Sequence, residues 1–325
     1  MTTRTPSEDQ SGTAGGPPVT DPFYFEQAPY LKPINVPGAW ELLTSTRVKR
    51  KRVTVAHIDT GVKIPVHPDL RTNLVTGYNV IDHSTNTADK VGHGTRMAGI
   101  LGATINNSVG IAGVMDLVNI MPISLEDQYE ARRQSEAIDY IIRNKESKNI
   151  KVILMPISFS ITTQELANKV NEAAQAGILM VFTAGNQGRN ITEAGMYPCS
   201  YTQSVEGILC VAATGRSNMN LIRDSNFADY VDIAAPGTDI ATTGFLRPYE
   251  ASEGTSPASA IIAGVAAMLY SLAPDLTPVD VKKIIKDTSK KGVKNAQGKP
   301  VRFGRVDAAK AVAKLIPKRA RAVAH

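Results

Sequence analysis

Long hydrophobic runs are missing from this sequence: nothing reaches about 18 consecutive apolar residues, so no membrane span is expected. The first twenty residues, MTTRTPSEDQSGTAGGPPVT, lack the apolar core of a secretory signal and read as a flexible leader. Aromatic residues are scarce, at 6% with a single Trp, which argues against an aromatic-interleaved nucleic-acid surface. The 36 basic against 30 acidic side chains give a formal charge of +6. Most of these basic residues are dispersed. The exceptions, Arg47-Val48-Lys49-Arg50-Lys51-Arg52 and Lys318-Arg319-Ala320-Arg321, read as solvated connectors, and no nucleic-acid partner is expected. Cysteines number two, too few for a disulfide-dense scaffold. Cys199 and Cys210 leave two readings open: one short-loop disulfide, or two reduced thiols with Cys210 packed in ILCVAA.

What remains is an ordinary globular composition, 325 residues with 42% hydrophobic and 20% charged. From Val53 onward, short aliphatic runs recur at 53–59, 118–124, 151–158, 178–185, 208–214 and 230–236. With no polar face, they read as strands covered on both sides. Amphipathic stretches at 93–103, 126–145 and 164–176 alternate with them, and helix-like segments at 256–273, 277–289 and 306–316 close the chain. The pattern predicts an α/β fold: a single domain with a mostly parallel twisted sheet and helices on both faces. A leader at 1–20, a domain at 21–316 and a basic tail at 317–325 complete the expected organisation.

In such a sheet the ligand site lies beyond the carboxyl ends of the strands. Asp59 ends the first strand and Asn186 follows ILMVFTAG, while His93 and Ser256 each open a helix. A serine hydroxyl becomes a nucleophile when a histidine takes its proton and a carboxylate orients that histidine. Ser256, His93 and Asp59 supply these three roles. Ser256 would also lie at the positive end of a helix, with Pro257 at its first position.

Four blocks carry a family resemblance: Val55-Ala56-His57-Ile58-Asp59-Thr60-Gly61, Gly92-His93-Gly94-Thr95-Arg96-Met97-Ala98-Gly99, Thr183-Ala184-Gly185-Asn186 and Gly254-Thr255-Ser256-Pro257-Ala258. Together, and in this order, they resemble the subtilisin-like serine proteases over roughly residues 21–316. The resemblance implies an endopeptidase acting on proteins or peptides through an acyl-enzyme, with Ser256 as nucleophile, His93 as base and Asp59 as its orienting carboxylate. It implies Asn186 as the oxyanion donor, and substrate contacts from Gly185 and from Ser158, Phe159 and Ser160. Ser259 reads as a packing residue, and His57 as a hydrogen-bonded core histidine on the Asp59 face of its strand.

The resemblance extends to a structural calcium (Ca2+) site. Asp69 in His67-Pro68-Asp69-Leu70, the Asn107 side chain and the carbonyls of Ile105, Val109 and Ile111 would be ligands, with Asp21 as an N-terminal one. It further implies a monomer, an extracellular or secretory setting, and a pro-segment or protein inhibitor as a further partner. Asn106-Asn107-Ser108 and Asn190-Ile191-Thr192 match the glycosylation sequon, which matters only in a secreted chain. The chain departs from the family pattern at several points. Pro257 takes a methionine place, Ala260 a proline place and Arg96 that of a second histidine, while Ser158-Phe159-Ser160 lacks the glycine of the family's Ser-x-Gly strand.

Two rival readings have their own expectations. Asp59-Thr60-Gly61 is also the aspartic-protease tripeptide, but such enzymes need a second carboxylate and only one Asp-Thr-Gly occurs. A catalytically inactive scaffold of the same fold would keep the architecture and bind without cleaving.

Overall fold

Strands buried on both faces need no polar alternation, and the aliphatic runs form such strands. The computed structural model describes residues 19–317, so the expected leader and basic tail lie, but for residues 19, 20 and 317, outside the described residues. One sheet joins β1 (Val53–Asp59), β2 (Tyr78–Asn79), β3 (Val118–Ser124), β4 (Ile150–Met155), β5 (Leu179–Thr183), β6 (Ile208–Thr214), β7 (Ile233–Pro236) and β10 (Gly304–Arg305) in the order β10-β7-β6-β5-β4-β1-β3-β2. Its pairings are parallel throughout. A separate antiparallel hairpin pairs β8 (Ile240–Thr243) with β9 (Tyr249–Ser252).

Helices cover both faces: α1 (Tyr24–Leu31), α2 (Val36–Ser45), α3 (His93–Gly102), α4 (Ala131–Asn144), α5 (Gln164–Gln175), α6 (Thr255–Leu272), α7 (Pro278–Thr288) and α8 (Ala308–Ala313). Successive strand residues point to opposite faces, which divides the core in two. Val55, Leu154, Val181 and Val211 pack with α3 and α6, whereas Ile58, Ile153, Phe182 and Cys210 pack with α4 and α5. β1 sits between β3 and β4, where the strand order changes direction, and so its carboxyl end opens at the switch point. α6 is long and apolar enough to match a bilayer's thickness, yet all 18 of its residues are buried in the protein core.

Several boundaries differ from the sequence reading. Glu126, expected in a helix, has φ +52°, a left-handed conformation that no helix continues through, and α4 starts only at Ala131. β4 ends at Met155, because Pro156 has no N–H to give a further rung. α6 begins at Thr255, so Pro257 is its third residue instead of its first; an N–H there lacks an intrahelical acceptor as well. Arg50 and Arg52 are anchored, not merely solvated: Arg50 pairs with Asp116 at 2.6 Å and Arg52 donates to the Val118 carbonyl at 2.6 Å.

Cys199 and Cys210 form a disulfide with their Cα atoms 4.9 Å apart, tying the turn at Cys199–Gln203 to β6. The loop it closes spans a separation of 11 residues, for which chain entropy gives about 3 kcal/mol. The double variant Cys199→Ser/Cys210→Ser is therefore expected to lose about that much stability, read as a lower denaturant midpoint. An unchanged midpoint would show that the bridge contributes nothing.

Candidate active site

Asp59 ends β1 fully buried, and three donors converge on its carboxylate. The Thr60 N–H donates to Oδ1 at 2.7 Å, His93 Nδ1 lies 2.8 Å from Oδ1 and 2.9 Å from Oδ2, and His57 Nε2 lies 3.1 Å from Oδ2. Burial alone would raise the Asp59 carboxyl, but the His93 charge and the donors from both histidines outweigh it and hold the group well below the usual carboxylate range. Burial likewise pushes His93 down, and the Asp59 charge and hydrogen bond reverse this, leaving the imidazole raised above its ordinary value.

His93 opens α3, and the helix start is clamped to the strand end by a residue that the sequence reading missed. Asp89 Oδ1 accepts the Gly92 N–H at 2.7 Å and the Thr60 hydroxyl at 2.8 Å, while Oδ2 accepts the Thr95 N–H at 3.0 Å. These N–H groups have no intrahelical acceptor, so a buried carboxylate is a natural cap. The approach is close enough that a Cβ on Gly94 would fall 2.1 Å from the Gly61 carbonyl oxygen, so no larger residue fits beside His93.

Ser256 is the second residue of α6 and 8% exposed. Its hydroxyl donates to the Pro156 carbonyl at 3.1 Å, and no hydrogen bond joins it to His93 here. Pro156 is thus a second neighbour missed in the sequence, for a carbonyl is carried by every residue and no side-chain type signals it. Asn186, exposed after β5, reaches the same helix start: its Oδ1 accepts from the Thr255 N–H at 2.9 Å and the Thr255 hydroxyl at 2.8 Å. That leaves its NH2 as the free end of the amide. Gly254, at φ +111°, has Asn186 Nδ2 3.0 Å from where a Cβ would stand. Ser259 is fully buried one turn further on, its hydroxyl spent on the Ser256 carbonyl at 2.7 Å.

The residues expected to contact substrate divide. Ser158 lies against Gly185. Phe159, in contrast, uses both its N–H and its carbonyl on Tyr197, at 2.9 and 2.8 Å, so its own backbone is already paired. Ser160 is exposed beyond that bridge.

A second polar centre joins Asp21, Asp69 and the 105–111 loop. Asp21 accepts the N–H groups of Asn106 and Asn107 at 2.8 and 3.1 Å; Asp69 accepts from Asn107 Nδ2, the Ile111 N–H and the Tyr249 hydroxyl at 2.9, 2.9 and 3.2 Å. Burial raises both carboxyls above their ordinary value despite these donors. Among the described residues no basic side chain pairs with either, and the carbonyls of Ile105, Val109 and Ile111 accept no chain hydrogen bond. Two buried carboxylates and three idle carbonyls suit a hard cation, with Asn107 able to turn its amide oxygen inward.

The aspartic-protease reading falls here, since the partners of Asp59 are two histidines and a backbone N–H instead of a second carboxylate, within a parallel sheet. Comparison with known proteins bears on the same residues. The profile of the Subtilase family matches residues 50–304. Thermitase from Thermoactinomyces vulgaris is 31% identical over 292 residues, covering 90% of this chain and 98% of thermitase. A thermophilic serine proteinase of Bacillus sp. (strain AK1) is 33% identical over 258 residues, covering 79% of this chain and 61% of that protein. Among solved structures, a protease from Pseudoalteromonas arctica superposes with a TM-score of 0.76 at 27% identity, over 91% of this chain and 99% of the other. With its profile match, its parallel sheet and its buried aspartate–histidine pair, the chain belongs to the subtilase family of serine-type endopeptidases.

Proposed function

We propose that this protein hydrolyses peptide bonds of protein substrates through an acyl-enzyme, with Asp59, His93 and Ser256 as its triad. The observation that carries the reading is the bond from His93 Nδ1 to Asp59, 2.8 Å, which fixes Nδ1 as the donor and leaves Nε2 as the lone-pair nitrogen. In this reading the Ser256 hydroxyl turns from the Pro156 carbonyl to His93 Nε2 when substrate enters, a rotation open to any hydroxyl. Ser256 Oγ then attacks the scissile carbonyl as its proton passes to Nε2, and Asp59 stabilises the imidazolium. The oxyanion is held by Asn186 Nδ2 and by the Ser256 N–H, which lies in the first turn of α6 and has no intrahelical acceptor. His93 returns the proton to the leaving amine, and water repeats the sequence on the ester.

The peptide would pair with the backbone of residues 156–158, its side chain before the scissile bond lying toward Gly185 and Ser158. A pro-segment or protein inhibitor would occupy the same cleft. A peptide-library digest tests the reading: wild type should cleave and Ser256→Ala should not. Cleavage no greater than that of Ser256→Ala would favour the inactive scaffold instead.

The reading includes a structural calcium ion held by Asp21, Asp69, Asn107 and the carbonyls of Ile105, Val109 and Ile111. When bound, it would supply the positive charge that the two buried carboxylates lack. Calcium at a hundred times its dissociation constant should add about 3 kcal/mol. Chelation is therefore expected to lower the thermal midpoint; a midpoint indifferent to chelator and to added calcium would remove the ion from the account.

A further inference from the structure

His57 sits two residues before Asp59 on β1, on the same side of the strand, and is 1% exposed. The face it shares is otherwise aliphatic, with Val53 and Val55 packed into the core. An ionised carboxylate only accepts, so the contact of His57 Nε2 with Asp59 Oδ2 at 3.1 Å requires the proton to be on Nε2. Its other nitrogen, Nδ1, is buried without any hydrogen-bond partner. An unpaired buried nitrogen is a cost that valine or leucine would not incur. What histidine adds here is one more donor to Asp59, beside those from Thr60 and His93.

We infer that His57 is a positioning residue for the Asp59–His93 pair: its Nε2–H pins Oδ2, sets the carboxylate plane against His93 Nδ1, and shares the carboxylate's charge. The inference rests on the triad reading above. Its consequence is a ceiling on how tightly Asp59 holds the proton of His93. The charged groups acting on His93 are Asp59, Asp89 and Arg96; the rings that face Asp59 are those of His57 and His93, and Tyr129 lies within its field. Without the His57 donor, more of the Asp59 charge would fall on His93, stabilising its imidazolium. The base works neutral, so its activity would then begin at higher pH.

The test compares kcat/KM against pH for wild type, His57→Leu and His57→Gln, whose amide N–H replaces the Nε2–H. His57→Leu is expected to move the acid limb up by about one pH unit, as loss of a charge-assisted hydrogen bond implies, and to lower the plateau kcat with KM held. His57→Gln should restore both. A His57→Leu profile that superimposes on wild type overturns the inference. A second measurement needs no variant: nitrogen-15 NMR of the wild-type histidines should find the His57 proton on Nε2, and a bare Nε2 overturns the inference even if His57→Leu fails to fold. Fluorophosphonate labelling of wild type separates the two layers. Labelling at Ser256 with an unmoved His57→Leu profile removes only the role of His57, whereas absence of labelling removes the triad reading and this inference with it.

Discussion

Ser256→Ala is expected to lower kcat on a peptide substrate by at least about 10⁴-fold, with KM little changed and fluorophosphonate labelling abolished. Alanine keeps the shape of the site and removes only the hydroxyl that bonds Pro156 at the start of α6. In the proposed mechanism, what survives is the residual catalysis of the oxyanion donors and of binding, because the members of a triad act as a unit. The control is Ser259→Ala, in the same small-residue run. Its hydroxyl is committed to the Ser256 carbonyl at 2.7 Å in a fully buried setting, so its removal should cost some stability and leave labelling intact. Turnover that persists in Ser256→Ala, or labelling that disappears in folded Ser259→Ala, would move the nucleophile elsewhere.

The placement of the candidate residues was legible from sequence: Asp59 closes a strand, His93 opens a helix, Ser256 lies in the first turn of another, and Asn186 follows a strand. Such positions are marked by changes in hydrophobic period, and β1 and β3 run over the very residues that their aliphatic runs suggest. The sheet was legible for the same reason. The hairpin β8–β9 and the helices α1 and α2 were not, since short segments with mixed polarity carry little periodic signal. Asp89 and Pro156 were missed for a different reason: they act by hydrogen bonds to or from backbone, and any loop can bring such groups together. His57 was readable as a hydrogen-bonded partner on the Asp59 face, but its unpaired Nδ1 is a property of packing alone. For the cysteines, spacing allowed both oxidation states, and the Cα separation of 4.9 Å in the folded chain decides between them.

Asn186→Leu is expected to lower kcat by about 10²–10³-fold with KM nearly unchanged, the usual cost of removing one oxyanion donor. Constant KM follows from the proposed role, in which the NH2 meets an oxyanion that exists only in the transition state. Asn186 has a second duty, since its Oδ1 accepts from both the N–H and the hydroxyl of Thr255, at 2.9 and 2.8 Å. Leucine therefore removes a cap from α6 as well as a donor from the site, and should cost about 1 kcal/mol of stability besides the rate. Asn186→Asp separates the duties. One carboxylate oxygen can keep Thr255 while the other stands where the NH2 was, so the helix cap survives and a negative charge faces the developing oxyanion. The aspartate variant should thus melt near wild type and still lose at least as much kcat as the leucine variant. Near-normal kcat in Asn186→Asp would confine Asn186 to holding Thr255, leaving the Ser256 N–H as the remaining proposed donor to the oxyanion.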